Sequence, residues 1–184
     1  AVQRHRRERG CPMSERAVIA VDLGAESGRV MRVIFDGARF RLQEAHRFRN
    51  NPLEVQDTLY WNVLRLWHDI QVGIDRALAL GPAAGVAVST WGVDFALLDA
   101  HHHLIDNPVQ YRDRRTHGMM DWVHARVPAR TIFERTGIQR MSINTIYQLA
   151  SLRASDDPAL RLAHCILTIP SLLNYWLSGA RYNE

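Results

Sequence analysis

Lysine is absent from this sequence of 184 residues, and all 23 of its basic residues are arginine. A Walker-type phosphate loop, a Schiff-base enzyme and a protein kinase each depend on a lysine side chain, so these three classes are excluded. Cysteine is also scarce. The two thiols, Cys11 and Cys165, are too few for a disulfide framework or a metal cluster, and they favour a reducing compartment.

Long hydrophobic runs are missing as well. The run 17–21 ends at Asp22 and is too short for the core of a signal peptide. The run 165–177 is interrupted by Pro170 and is too short to cross a bilayer. We therefore expect a cytoplasmic protein without a membrane partner.

Positive charge is concentrated at the start of the chain. Residues 1–16 contain five arginines and two glutamates, which account for +3 of the formal net charge of +4. We interpret 1–16 as a disordered basic tail. The remainder is nearly neutral, so a nucleic-acid partner is not expected. Apolar residues make up 47% of the sequence, and 17–184 has the length of one large globular domain.

This domain begins with the pattern of three consecutive antiparallel strands. A short apolar run covers 17–24, apolar residues alternate with polar ones over 29–36, and the alternation resumes at Phe40. Asp36-Gly37, between the second and third strands, is a strong hairpin signal.

A helix and further strands follow. Asn62 is a predicted cap, Gly81-Pro82 a predicted stop, and the helix between them is expected to pack on the sheet. Its predicted apolar stripe consists of Leu64, Trp67, Ile70, Ile74 and Leu78. A buried strand is then predicted over 85–90 and another strand over 93–99. Helical patterns dominate the rest of the chain, around 119–126, 129–135, 145–154 and 170–177.

The segment Asp22 to Arg29 carries the first chemical pattern. A carboxylate at a strand end precedes a turn with two glycines, so backbone N–H groups can approach a phosphate while Asp22 holds Mg²⁺ through water. Ser27 and Arg29 are candidate contacts to phosphate oxygens. A plain hairpin with a surface aspartate explains the same residues, and Glu26 fits poorly beside a phosphate because like charges repel.

Trp91, Gly92 and Asp94 carry the second pattern. An indole ring, an accessible backbone and a carboxylate within one turn suit a sugar, whose C–H faces pack on aromatic rings and whose hydroxyls need acceptors. We interpret Asp94 as a hydroxyl acceptor. A buried tryptophan with a turn-forming aspartate explains the pattern equally well.

Four segments together resemble the FGGY carbohydrate kinases, which are sugar kinases of the actin-like ATPase superfamily. The segments are AVIAVDLG at 17–24 with the loop that follows it, STWGVDFALLD at 89–99, PVQYRDRRT at 108–116 and INTIYQL at 143–149. Their order and spacing extend over nearly all of the chain after the tail, and within the family they are most similar to the kinases of L-rhamnulose.

The resemblance implies an α/β fold of the ribonuclease-H-like, actin-like ATPase type, with a mixed sheet that starts with three antiparallel strands and has flanking helices. It also implies that 17–184 is an incomplete N-terminal domain. The catalytic aspartate, the adenosine site and a C-terminal kinase domain are then expected beyond Glu184, so this chain alone is expected to be inactive.

The resemblance further implies an ATP- and Mg²⁺-dependent kinase that converts L-rhamnulose to L-rhamnulose 1-phosphate. The loop residues Ala25, Glu26, Ser27, Gly28 and Arg29 match the family's ATP phosphate loop. Asp22 matches its magnesium residue, and Gly92 matches a glycine that contacts the sugar. Kinases of xylulose, fuculose and ribulose share the same plan and remain alternatives.

Other polar residues have ordinary structural explanations. Asp113 is a predicted helix cap, and Tyr111 or Arg112 is only a loosely supported wall of a sugar pocket. Asn144 and Tyr147 are explained equally well by capping and packing. His101 to His103 are predicted to form a turn, because adjacent side chains in an extended segment point in opposite directions and do not share one ion. Trp61 and Trp67 are predicted core residues.

Two other functional classes remain open. A nuclease of the ribonuclease-H type would use Asp22 and Asp94 to hold two metal ions, but it needs a third acid that the sequence does not clearly supply. A non-catalytic sugar-binding module would use the Trp91 pocket without ATP.

Overall fold

The computed structural model describes residues 15–183, so most of the predicted basic tail and Cys11 lie outside the described residues. The first strand begins at Arg16. The strands are β1 (Arg16–Leu23), β2 (Ser27–Phe35), β3 (Phe40–Arg49), β4 (Leu53–Val55), β5 (Thr58–Tyr60), β6 (Val86–Ser89), β7 (Phe95–Leu98) and β8 (Cys165–Thr168). The helices are α1 (Val63–Ala79), α2 (Met119–His124), α3 (Ala129–Thr136), α4 (Thr145–Ala154), α5 (Pro158–Leu162) and α6 (Ile169–Ser178), with a 3-10 turn at Arg114–Thr116.

The main sheet confirms the predicted antiparallel start. Its strand order is β3-β2-β1-β6, with β1 and β2 antiparallel, β2 and β3 antiparallel, and β6 parallel to β1. The hairpin between β2 and β3 turns at Gly37, whose φ of 99° suits glycine. The Asp36 carboxylate accepts hydrogen bonds from the N–H groups of Ala38 and Arg39, which fixes the turn.

Helix α1 packs on β2 and β3 as predicted, and Ile70 of the predicted stripe lies in the core while Trp67 and Ile74 pack against it. The two ends of the predicted stripe are not buried. Leu64 is 59% exposed and Leu78 48% exposed. The buried residues of the helix are Val63, Leu66, Asp69, Ile70, Gly73 and Ala77. A Cβ at Gly73 would lie 2.3 Å from Val30 Cγ2 on β2, so the helix lies close to the sheet at this glycine. A search for apolar side chains does not count a glycine, so the sequence did not predict this contact.

Strand β6 pairs with β1 but is not buried as predicted, since Val86 is 40% exposed. It is the last strand of the sheet, and within residues 15–183 no strand pairs with its other edge. An edge strand keeps part of its surface accessible.

The second half of the chain packs around a separate pair of strands. Strand β7 pairs with β8 in antiparallel register, and α6, which starts directly after β8, contacts β6, β7 and β8. Buried residues of both halves join one core, among them Val21, Leu98 and Leu172. Short elements such as β4, β5, β8 and α5 were not predicted. Among the described residues, no helix is long and apolar enough to cross a membrane.

Candidate functional site

The turn between β1 and β2 is held in shape by Asn50, the residue directly after β3. Gly24 N donates to Ser27 O at 2.8 Å and closes the turn. Asn50, which is 2% exposed, donates from Nδ2 to Gly24 O at 2.8 Å and from its backbone N to Glu26 O at 3.0 Å. Asn50 therefore fixes both sides of the predicted phosphate loop, one through its side-chain amide and the other through its backbone N–H. Sequence analysis did not identify Asn50, because its partners are 24 or more positions away.

The loop retains donors that an anion can use. Within residues 15–183 the N–H groups of Ala25 and Glu26 donate to no other group. The side chains of Glu26 and Ser27 are exposed. Successive free N–H groups in a turn form a concave anion site. The Glu26 carboxylate is in water and not enclosed in the loop, which removes the main objection to a phosphate there.

Gly28 is required for a reason other than phosphate approach. It is buried, and a Cβ at this position would lie 2.4 Å from Phe48 and 2.7 Å from Leu23. The loop therefore rests on two apolar side chains beneath it. Packing alone accounts for glycine at this position.

Asp22 and Arg29 face each other across β1 and β2. Asp22 Oδ2 accepts from Arg29 Nε at 2.8 Å and from Nη2 at 2.7 Å, and the side chains are 48% and 45% exposed. Asp22 Oδ1 accepts no hydrogen bond from the described residues. Asp22 therefore fits a water-mediated contact to Mg²⁺, because a half-exposed carboxylate with a free oxygen is a suitable ligand.

Pairing between β1 and β6 brings the two predicted loops together. Asp22 is the register partner of Ser89, and the strands are parallel. The loops that follow β1 and β6 therefore leave the sheet together, at the carboxyl ends of its parallel strands. Ser89 stands only two residues before Trp91. In open α/β sheets, ligands bind at the carboxyl ends of the strands.

Residues Gly92 to Asp94 form a strained γ-turn. Asp94 N donates to Gly92 O at 3.0 Å, and Val93 between them has a φ of 69°. A positive φ is costly for a β-branched residue, and such strain is held only where surrounding contacts enforce it. Gly92 is exposed, and a Cβ there would have no atom within 4 Å. The backbone of Gly92 is thus open to a ligand.

The Asp94 carboxylate is enclosed behind this turn. It is 0% exposed and accepts hydrogen bonds from Trp61 Nε1 at 2.6 Å, Trp91 Nε1 at 3.0 Å, Gln148 Nε2 at 2.9 Å and Tyr111 N at 3.3 Å. Burial raises the pKa of this carboxyl above its usual range, although the hydrogen bonds oppose the shift. All four donors belong to the protein, and two of them are indole N–H groups, so the Asp94 carboxylate anchors two indole rings.

The two indole rings lie against each other. The ring centroids of Trp61 and Trp91 are 4.1 Å apart and the planes tilt by 33°. Trp61 is fully buried, which confirms it as a core residue, whereas Trp91 is partly accessible. The ring centroid of Tyr111 lies 6.3 Å from that of Trp61, and the Arg112 guanidinium lies 5.1 Å from the Tyr111 ring centroid. The predicted sugar side of the site is therefore aromatic.

The remaining polar candidates have structural roles. Asp113 caps the 3-10 turn by accepting from Arg115 N at 2.8 Å, which confirms the capping prediction. Asn144 precedes α4 without a side-chain capping bond, and its Nδ2 donates to Gln139 O. Tyr147 is 2% exposed, with its hydroxyl 3.0 Å from His124 Nε2.

The three consecutive histidines form the predicted turn. Asp99 Oδ1 accepts from His101 N at 2.9 Å and from His103 N at 2.8 Å. In the part of the chain that the structure describes, no group of three or more histidine, cysteine or acidic side chains is placed to hold a metal ion.

Sequence comparison places the chain among sugar kinases. Residues 17–184 match the FGGY family of carbohydrate kinases, N-terminal domain. A rhamnulokinase from Oceanobacillus iheyensis is 36% identical over 167 residues, which are 90% of this chain and 36% of that protein. A rhamnulokinase from Pectobacterium atrosepticum is 39% identical over 171 residues, 91% of this chain and 34% of that protein. The chain spans about a third of the length of these relatives.

Solved structures share the fold at low sequence identity. A gluconate kinase from Lactobacillus acidophilus superposes with a TM-score of 0.80 at 16% identity, over 91% of this chain and 34% of that one. A xylulose kinase from Rhodospirillum rubrum superposes with a TM-score of 0.77 at 14% identity, over 92% of this chain and 36% of that one. These neighbours and the mixed sheet with flanking helices confirm the predicted actin-like ATPase fold class.

Proposed function

The chain belongs to the FGGY family of carbohydrate kinases, and on this premise we propose that the protein carrying it transfers the γ-phosphoryl group of ATP to L-rhamnulose. The product would be L-rhamnulose 1-phosphate. One observation carries the proposal from the structure: the pairing of Asp22 with Ser89 brings the β1–β2 loop and the Trp91–Asp94 turn to one edge of the sheet. The choice of sugar is supported by the similarity to rhamnulokinases.

The β1–β2 loop is proposed to bind the ATP phosphates. The free N–H groups of Ala25 and Glu26 would donate to phosphate oxygens, together with Ser27 and Arg29. Asp22 would hold Mg²⁺ through water, and the ion when bound neutralises phosphate charge. Gly28 would support the loop from below by its packing on Phe48. Arg29 is half exposed, so it can shift from Asp22 to phosphate at small cost, since exposed ion pairs contribute little.

The Trp91–Asp94 turn is proposed to line the sugar pocket. Gly92 would present its backbone to the sugar and Trp91 would offer its ring edge or face to the C–H groups. Asp94 remains in the proposed substrate-binding set. Because it accepts hydrogen bonds from four protein donors, Asp94 would contribute to sugar binding by orienting Trp91 and the turn.

The group that removes the proton from the accepting hydroxyl is proposed to lie outside these 184 residues. Asp94 does not suit this role, because it is 0% exposed and fully hydrogen-bonded. The rhamnulokinase relatives are about two and a half times as long as this chain, and we propose that the rest of the protein supplies the base, the adenosine site and a second kinase domain. This chain alone is then expected to lack kinase activity.

The same enclosure argues against the nuclease alternative. A two-metal nuclease needs strand-end carboxylates that are open to the ions, whereas the Asp94 oxygens are occupied by Trp61, Trp91, Gln148 and Tyr111. A sugar-binding module without ATP use remains as an outcome of the assay below.

The proposal is tested on the full-length protein with MgATP and one ketose at a time. ADP release would be measured with L-rhamnulose, L-fuculose, L-ribulose and D-xylulose, and the phosphorylated carbon would be identified by NMR. We expect the highest kcat/KM with L-rhamnulose and phosphate on O1. A clear preference for another ketose would show that the proposed substrate is wrong and that the proposed kinase activity is right. Sugar binding without ADP release would favour the binding module.

A further inference from the structure

Gln148 on α4 lies behind the Gly92–Asp94 turn, and its buried side chain has four hydrogen-bond partners. It is 0% exposed, and its Nε2 lies 2.9 Å from Asp94 Oδ1, 3.3 Å from Val93 O and 2.9 Å from Ile143 O. Its Oε1 accepts from Arg115 Nη2 at 2.7 Å. One amide therefore joins α4 and the 3-10 turn to two consecutive residues of the γ-turn.

These contacts fix which way the amide points. All groups near Nε2 are acceptors, and the group near Oε1 is a guanidinium, which is only a donor. A flipped amide would place donor against donor at Arg115 and acceptor against acceptor at Asp94. Because leaving buried polar groups unpaired is costly, the observed orientation is strongly preferred.

The strained residue in the turn depends on the same contacts. The Val93 carbonyl accepts from Gln148 Nε2 and from Thr145 Oγ1, the latter at 2.6 Å. Without these donors nothing on α4 would hold Val93 at its φ of 69°, and a β-branched residue returns to negative φ when it is free to do so. A relaxed Val93 would rotate the Gly92 backbone, which precedes it directly.

We propose that Gln148 is a positioning residue that keeps the Gly92–Asp94 turn in the conformation that offers the Gly92 backbone to the sugar. The inference rests on the proposed sugar site at Gly92. It goes further by assigning control of sugar affinity to a residue on α4 that does not line the open side of the turn. Thr145 supports the same carbonyl and has a secondary part.

The first test compares two variants with one control in the full-length protein. Gln148→Met keeps the length of the side chain and removes the amide, whereas Gln148→Leu removes the amide and also shortens the side chain. A glutamate at this position is avoided, because a buried acid beside Asp94 would take up a proton and remain a donor. Gln139→Met changes an exposed glutamine nearby and is the control. Steady-state kinetics would give kcat and the KM values for L-rhamnulose and MgATP.

We expect both Gln148 variants to raise the KM for L-rhamnulose about tenfold, as the loss of one well-placed hydrogen bond would, with kcat and the KM for MgATP nearly unchanged. The control should behave as wild type. If Gln148→Met keeps the wild-type KM, or if both variants lower kcat alone, donation by the amide does not set sugar affinity and the inference is wrong.

A crystal structure of Gln148→Met tests the inference without any sugar. Val93 is expected at negative φ, and the hydrogen bond from Asp94 N to Gly92 O is expected to be lost. An unchanged turn would overturn the inference even if the kinase is confirmed. If the wild type does not use L-rhamnulose, the proposed function fails, while this structure still decides the role of Gln148.

A milder variant covers the case in which both Gln148 variants fail to fold. Thr145→Val removes one of the two donors to Val93 O and leaves Gln148 intact. A smaller increase in the KM for L-rhamnulose is expected, again without a change for MgATP. An unchanged KM for L-rhamnulose with this variant would contradict the inference.

Discussion

Asp22 and Asp94 have opposite environments although both stand at the edge of the sheet where β1 and β6 end. The Asp22 side chain is 48% exposed, and Arg29 is its hydrogen-bond partner. The Asp94 side chain is 0% exposed and accepts four hydrogen bonds, three of them from tryptophan and glutamine side chains. The sequence presents the two as similar candidates. The structure separates a carboxylate that is open to a ligand from one that is committed to the protein.

The difference lies in what each carboxylate would lose on binding a ligand. Asp22 exchanges one exposed ion pair, whose contribution to stability is small. Asp94 would have to leave two indole N–H groups and an amide unpaired in the interior, which is costly. Ligand exchange is therefore expected at Asp22, and Asp94 is expected to act through the residues that it orients.

The largest predicted effect is the loss of stability in Asp94→Asn. An asparagine has one acceptor oxygen, so either the tryptophan pair or Gln148 would face an N–H₂ group in place of an acceptor. The free energy of unfolding should fall by roughly 3 kcal/mol, the scale expected for unsatisfied buried donors. Urea denaturation followed by tryptophan fluorescence measures it.

Asp22→Asn is the matched control for that measurement. It removes an exposed ion pair to Arg29, so the free energy of unfolding should change by less than about 1 kcal/mol. Equal destabilisation by the two substitutions would contradict the separation drawn between the carboxylates.

The second predicted effect is on catalysis. In the full-length protein, Asp22→Asn should lower kcat/KM for MgATP about 10- to 100-fold, as is typical for a group that acts on a metal through its outer shell. Raising the Mg²⁺ concentration should recover part of the loss. Asp36→Asn, at the other hairpin of β2, is the control and should have no effect on MgATP kinetics. Wild-type kinetics in Asp22→Asn would remove the metal role from this residue.

The third prediction contrasts the two glycines of the site. Gly28→Ala should destabilise the fold by about 2 kcal/mol, because the added Cβ overlaps Phe48 and Leu23 in a packed core. Gly92→Ala should leave stability within about 0.5 kcal/mol of wild type, since no atom lies within 4 Å of its Cβ position and surface changes are mild. Thermal unfolding of both variants distinguishes them. A stable Gly28→Ala protein would show that the loop is not pressed on Phe48.

The smallest predicted effect is a pH dependence that belongs to Asp94. Burial raises its pKa in the folded protein, so the folded state binds this proton more tightly than the unfolded chain does. The stabilisation that protonated Asp94 contributes to the folded state is fully present below the ordinary pKa of an aspartate. It is lost as the pH rises through the raised pKa of Asp94 in the folded protein. Wild type should therefore lose stability relative to Asp94→Asn over that range.

The comparison with Asp94→Asn isolates this group. The carboxyls of Asp36, Glu44 and Asp99 have lowered pKa values because of hydrogen bonds from Arg39 N, Arg47 and His103 N respectively, and they titrate in both proteins alike. A stability difference that does not vary with pH would contradict the raised pKa of Asp94.

Local patterns in the sequence predicted much of the fold. Alternation and Asp36-Gly37 gave the three-stranded start, and Asn62 caps α1 as expected, accepting from Arg65 N at 3.1 Å. The errors arose where tertiary contacts decide. Gly73 and Ala77 take buried positions on α1 that the predicted stripe left out, and β6 is an edge strand because its partners depend on the whole sheet.

The candidate site was predictable only in its local parts. The glycine turns and the positions of Asp22 and Gly92 follow from short motifs. The residues that hold these turns do not, because Asn50 lies 26 positions from Gly24, and Gln148 lies 54 positions from Asp94. A single sequence contains no pattern that links an amide to a carboxylate at such a separation.

Steady-state kinetics of Gly92→Ala in the full-length protein test most directly whether the two turns divide nucleotide and sugar between them. We expect the KM for L-rhamnulose to rise about tenfold through the loss of one close contact, while the KM for MgATP is unchanged. Unchanged KM values for both substrates, or an increase confined to MgATP, would contradict this expectation.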